Sequence, residues 1–198
     1  MRRTKLSTSF KLAACAAVLF SGSAFADTMF KTDPGHTEVK FSWDHAGVSI
    51  QSGEFDKASG TLTLADDIEK STMEMTIDAT SVSTGFEALD KHLKSADFLE
   101  VETYPEMTFK STAVAKTGDN TLDVTGDLTI HGVTNEVTLK VENTHQGEHP
   151  LGKAFDSYKG EWVAFKATTD IDHMAFGVGG FSTGPITINI ITEMKAPE

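Results

Sequence analysis

The chain is short of cysteine, of basic charge after its first 26 residues, and of any long apolar run there. Its one cysteine, Cys15, lies in that opening segment. The remainder therefore forms no disulfide, even at an oxidising destination, and its core must hold the fold alone. Nothing after residue 26 approaches the roughly 20 apolar residues that span a bilayer, so no membrane span is expected. Seventeen basic residues stand against 29 acidic ones, and four of the basic ones (Arg2, Arg3, Lys5, Lys11) precede residue 27. Residues 27–198 thus carry 13 against 29, a net charge of −16. Such a chain repels phosphate backbones and anionic surfaces, which argues against nucleic acid as a partner. Internal repeats, low-complexity segments and domain linkers are also missing. One domain over 27–198 follows, and at that size about two-thirds of the unfolded surface is buried.

Residues 1–26 have a basic start, an apolar run from Leu12 to Phe20, and then Ala24-Phe25-Ala26. That order predicts a secretory signal peptide cleaved after Ala26. Leu12-Ala13-Ala14-Cys15 resembles a lipobox, but a lipobox closes the apolar region, and here most apolar residues follow Cys15.

Most of the remaining chain alternates with period two. Val39, Phe41, Trp43 and His45 interleave with polar residues, and so do Met73, Met75 and Ile77. The same holds for Leu122 to Ile130, Val137 to Val141, Val163 to Ile171 and Ile186 to Ile190. Each segment reads as a strand with one buried face. Gly132 lies near the turn of a hairpin over 121–142, and the polar stretch 143–160 reads as a long loop. No strand is apolar on both faces, which favours an antiparallel sheet of eight or nine strands closed into a barrel, with a two-sheet sandwich as the alternative.

The exception is the stretch around Asp90 to Ser111. Ala88, Leu89, His92, Leu93 and Ala96 recur on one helix face. Phe98 and Leu99 end the pattern, and Tyr104-Pro105 leads into a strand near Met107. A helix over 86–99 that covers an apolar end of the β-structure is the expectation.

Chemical motifs are weak. Glu100, Glu102 and Glu106 cluster beside Tyr104 without pairing an acid with a base, and a charged surface explains them. Gly177, Gly179, Gly180 and Gly184 lie between strands with no following helix, which argues for a turn rather than a phosphate loop. His145, Glu148 and His149 imply no preorganised metal geometry.

His36-Thr37-Glu38-Val39-Lys40-Phe41, His45-Ala46-Gly47, Gly53-Glu54-Phe55 and Gly60-Thr61-Leu62 are followed by His92-Leu93-Lys94-Ser95-Ala96-Asp97-Phe98, Tyr104-Pro105 and Phe109-Lys110-Ser111. Gly126-Asp127-Leu128-Thr129 and Gly132-Val133-Thr134 complete a series that, in order and spacing, resembles the YceI-like family of exported polyisoprenoid-binding proteins. The likeness spans residues 33 to about 142. It thins beyond 143, where the family often has an Arg shortly before a Phe-Gly pair. Here Asp172-His173-Met174-Ala175-Phe176-Gly177 occupies that place.

The resemblance implies an all-β fold with one short helix: an antiparallel eight-stranded lipocalin-like barrel closed at one end by that helix. It implies a periplasmic protein that binds or carries an isoprenoid lipid, of isoprenoid quinone or polyprenyl type, or another amphiphile, in transport, storage or stress response. It also implies no enzymatic cofactor and leaves a homodimer open. Large and adaptable inward residues usually pack as core; the resemblance instead makes them a lipid wall. The expected lining is Phe41, Trp43, His45, Phe55, Leu64, Met75, Ile77, Leu89, His92, Leu93, Phe98, Phe109, Leu128, Ile130, Leu139, Phe165, Ile171, Phe176 and Ile188. Two rivals stand: an enzyme acting on a small amphiphile with His45 or His92 as acid-base group, and a packed barrel that binds only proteins.

Overall fold

A computed structural model describes residues 27–181 and 184–197; the expected signal peptide and Cys15 lie outside the described residues. The strands are β1 (Thr28–His45), β2 (Ser49–Phe55), β3 (Ala58–Leu64), β4 (Thr72–Asp78), β5 (Val82–Ser83), β6 (Glu106–Lys116), β7 (Thr121–Ile130), β8 (Val133–Glu148), β9 (Glu161–Ile171) and β10 (Ile186–Lys195), with one α-helix, α1 (Glu87–Lys94). All pairings are antiparallel. Around the barrel the order is β1-β3-β4-β6-β7-β8-β9-β10 and back to β1, so eight strands close the wall. Strand β1 makes closure possible. Its first residues pair with β3 (Thr28↔Leu64) and its last with β2 (Phe41↔Gly53), while its other edge follows β10 (Phe41↔Ile188). A register shift between Thr32 and Thr37 bends it, and such bulges turn strands around barrel corners. β2 and the two-residue β5 extend the wall at one end, which brings the strand total to ten rather than the eight or nine expected.

The 121–142 hairpin turns through His131 (φ 52°) and Gly132 (φ 73°). Two successive positive φ values match the type I′ turn that suits strand twist. Two expectations need correction. Strand β8 continues to Glu148, so the loop expected over 143–160 covers only 149–160 and contains two short 3-10 turns, Pro150–Lys153 and Asp156–Tyr158. A register shift between Asn143 and His145 reverses the facing of the strand, and Glu142 to Glu148 include no apolar residue that could show an alternation in either phase. The helix is also shorter than 86–99. Ser95, in extended conformation (φ −74°, ψ 172°), ends it, and its hydroxyl donates to the His92 carbonyl (2.7 Å). Turns then carry the chain to Tyr104, with Phe98 and Glu100 N–H both bonded to the Ser95 carbonyl.

Buried apolar residues form three groups rather than one. One lies under the helix (including Val39, Phe55, Ile130 and Phe176), one at the opposite end (Phe30, Leu62, Val163, Met194), and one on the wall between (Met75, Phe109, Leu122, Val124). A solid interior would join these into a single cluster; here they surround a space.

Candidate functional site

That space is a cavity of about 1140 Å³ inside the barrel, running from the helix end to Leu64, Ile68 and Val114 near the other end. It exceeds the roughly 300–1,000 Å³ common for small-molecule pockets. Its width comes from side chains laid flat on the wall. The Phe41 ring stacks on Trp43 (5.9 Å, 18°) and tilts against Phe55 (5.3 Å). It lies across Gly53, where an added Cβ would stand 2.6 Å from its Cζ. Phe109 lies across Gly126 in the same way. Without a side chain on either glycine, the rings turn along the wall instead of across the lumen.

Every residue expected from the sequence to line the interior does line this cavity. Their environments differ. Phe109, Met75, Ile77, Ile130, Ile171 and Phe176 are buried, whereas His45 and His92 are exposed at the helix end. Neither histidine is the hydrogen-bonded core histidine considered from sequence. His92 sets its ring edge on Phe98 (4.8 Å) and has Nε2 3.5 Å from the exposed Asp97 carboxylate. Helix α1 contributes no buried residue, so it covers the opening without sealing it. It is tied down through Asp90, whose carboxylate accepts from the backbone N–H (2.7 Å) and hydroxyl (2.6 Å) of Thr84. A second tie holds the turns after the helix: Glu100 Oε2 lies 3.1 Å from His131 Nε2, and Tyr104 packs edge-on against the His131 ring (4.5 Å).

The cavity wall is overwhelmingly apolar, and most of its polar members are at the open end or already bonded. Asp44, His45 and Gln51 are exposed there. Deep inside, the Thr192 hydroxyl bonds that of Thr37 (2.9 Å), and Ser71 Oγ accepts from Ala65 N–H (3.0 Å). His173 is different. It is 8% exposed, its Nδ1 bonds the Val178 carbonyl (2.6 Å), and its Nε2 has no partner among the described residues.

The eight-stranded closure with one helix has counterparts among known proteins. A model of the YceI-like domain matches residues 30–195. The chain belongs to the YceI-like family. A UPF0312 protein of Vibrio parahaemolyticus is 36% identical over 166 residues, covering 83% of this chain and 84% of its own. Among solved structures, Burkholderia cenocepacia BcnA superposes with a TM-score of 0.71 at 24% identity, over 82% of this chain and 98% of its own. A polyisoprenoid binding domain from Saccharophagus degradans, implicated in plant cell wall breakdown, superposes with a TM-score of 0.62 at 16% identity, over 86% and 99%. At these identities the two structures share the barrel.

Several lining residues of this YceI-like barrel were not singled out from the sequence. Val39, Leu62, Leu122, Val124, Val137 and Ile190 alternate in phase with those that were, and phase alone was enough to find them. Phe86 and Phe181 line the cavity while remaining 66% and 67% exposed. They flank its opening, and no periodicity marks them. On the outer face, His145 and Glu193 both pair with Ala164, and the 149–160 loop folds over them. His149 Nε2 lies 3.5 Å from Glu193, and Tyr158 stacks on Trp162 (5.6 Å). His149 Nδ1 accepts from Leu151 N–H (3.1 Å), which leaves Nε2 as the protonated, donating atom of the neutral ring. Among the described residues no group of three or more candidate ligands is arranged for a metal.

Nearby, His36 Nδ1 bonds Asp33 (2.9 Å). That hydrogen bond raises the His36 pKa above its ordinary value. For Asp33, burial opposes ionisation, but the bonds to His36 and to Gly35 N–H outweigh it and lower the pKa.

Proposed function

We propose that this protein binds or carries an isoprenoid lipid in the barrel interior, and that it does so in the periplasm after export and cleavage at Ala26. The observation that carries the reading is the cavity: about 1140 Å³, apolar, and continuous from the helix end to the far end of the barrel. A void of that size in a protein interior forfeits dispersion contacts throughout its lining, and a long apolar tail restores them while leaving water. With a modest ~0.3 kcal/mol per heavy atom, a tail of about forty carbons gives about 12 kcal/mol, or nanomolar binding. Apolar contact therefore suffices for affinity, and a few polar groups would orient the head. The polyisoprenoid binding domain that shares the barrel supports the choice of lipid class. The exposed positions of His45 and His92, with only Asp97 near His92, favour binding over acid-base chemistry.

Titration of lipid-stripped residues 27–198 with a prenyl-chain probe tests the reading. Saturable binding at one site per chain, lost on competition with an unlabelled isoprenoid quinone or polyprenol, is expected. A barrel that takes up neither would overturn it.

A further inference from the structure

The most exposed large apolar side chains of the described residues are gathered at the open end of the barrel. Val48 and Ile50 are 82% and 68% exposed, Phe86 and Phe181 follow them, and the next, Phe155, stands at 57%. The four come from three separate segments. Val48 and Ile50 belong to the β1–β2 hairpin, Phe86 is the residue before α1, and Phe181 lies on the connection into β10. Phe86 and Phe181 line the cavity, and so do Gly47 and Gln51, the residues on either side of the 48–50 stretch. All four therefore border one opening. Scattered apolar residues are ordinary on a protein surface, whereas a set gathered around one opening marks an interaction site.

The hairpin tip projects beyond its neighbours. β1 and β2 stay paired out to His45↔Ser49, while the pairing of β10 with β1 ends at Ser42↔Thr187 and β5 reaches only Glu54 on β2. The tip is nonetheless fixed in shape. Val48 N–H donates to the His45 carbonyl (3.1 Å), and the Asp44 carboxylate accepts from Gly47 N–H. Phe86 and Phe181 belong to the cavity wall and to the outer surface at once, so their rings join the outside of the barrel to its lumen.

The contents of the cavity indicate what covers this rim. A long isoprenoid tail resides in bilayers, and each methylene exposed to water on the way lowers its chance of transfer roughly fourfold. A mouth seated at the acyl boundary spares the tail that crossing. Charge selects the kind of surface. Asp44 and Glu87 are exposed beside the tip and beside Phe86, and residues 27–198 carry a net charge of −16, so anionic headgroups repel the mouth.

Resting on the lipid-binding reading, we propose that Val48, Ile50, Phe86 and Phe181 dock the open end of the barrel on a zwitterionic bilayer surface, and that the isoprenoid passes between bilayer and cavity there. The four side chains enter the boundary between headgroups and acyl chains. With no basic patch or lipid anchor to add to them, the contact is shallow and reversible.

Transfer kinetics test the proposal. Residues 27–198 are loaded with a fluorescent geranylgeranyl probe and mixed with phosphatidylcholine vesicles that carry a quencher. The transfer rate should rise in proportion to vesicle concentration, because collision limits it, and should fall when phosphatidylglycerol replaces part of the phosphatidylcholine. Val48→Ser/Ile50→Ser alters two exposed residues that do not line the cavity. This variant should transfer roughly tenfold more slowly and yet bind probe delivered from cyclodextrin as tightly as the parent. A rate independent of vesicle concentration means that the probe leaves through water, and it overturns the proposal. Parental transfer by the double variant, or faster transfer to the phosphatidylglycerol vesicles, does the same. A loaded protein that delivers nothing to bare vesicles makes a protein the partner and overturns the bilayer. Each of these outcomes leaves lipid binding in place. A protein that takes up no probe from cyclodextrin removes the lipid reading itself, and this inference with it.

Discussion

The ring of Phe109 lies across Gly126, with its Cζ 2.6 Å from the point where a β-carbon on that glycine would stand. The aromatic occupies the wall position that the glycine leaves vacant, and the lumen stays open. Gly126→Val should push the ring inward and crowd the Lys110 carbonyl, which lies 2.5 Å from the same point. Overpacking of this kind costs about 1–3 kcal/mol. Denaturant unfolding should show that loss, and lipid stoichiometry should fall in the fraction that remains folded.

Phe41 is partly buried and faces the lumen, stacked on Trp43. Phe41→Asp places a carboxylate on an apolar wall, where an unpaired charge is costly. The variant is expected to lose lipid retention while keeping the β-sheet circular dichroism of the parent. Lipid retained by a folded Phe41→Asp protein would argue against an interior site.

The tie between Glu100 and His131 (3.1 Å) holds the turns after α1 to the β7–β8 turn. His131 has a positive φ of 52°, so an asparagine, which tolerates that backbone, is the suitable replacement. His131→Asn should change stability by no more than about 1 kcal/mol, as for other partly exposed pairs. Amide exchange over 95–104 should quicken, and bound lipid should exchange faster.

The Asp33–His36 pair makes stability depend weakly on pH. The His36 pKa is raised in the folded chain, so its contribution is complete below about pH 6.5, the unfolded histidine value, and is lost as pH rises through the folded one. The Asp33 pKa is lowered, so its contribution is present above about pH 3.9 and is lost as pH falls through the folded value. The pair therefore acts between these limits. His36→Ala should lower the unfolding midpoint at pH 5 and leave it nearly unchanged at pH 8. The side chain is 45% exposed, so the effect at pH 5 should stay within about 1 kcal/mol.

The barrel was legible in the sequence because strands wet on one side write their facing into every second residue. Met75, Leu128 and Phe165 could be placed on the inner face from phase alone. What phase does not reveal is whether inward residues meet each other or a space. Packed and hollow barrels alternate identically, and the difference lies in rings such as Phe41 and Phe109 lying flat over glycines in neighbouring strands. The end of the helix was misjudged because Ala96, Phe98 and Leu99 continue its apolar spacing, while the stop comes from the extended backbone of Ser95. The last residues of β8 were hidden because Glu142 to Glu148 are polar throughout, and Phe86 and Phe181 flank the opening without any local signature.

The central claim is that the interior of the barrel belongs to a lipid. Its most direct test is organic extraction of the purified mature protein, residues 27–198, followed by mass spectrometry of what is released. An isoprenoid recovered at close to one per chain is the predicted result. A protein that yields no lipid and takes up neither an isoprenoid quinone nor a polyprenol when offered them would contradict it.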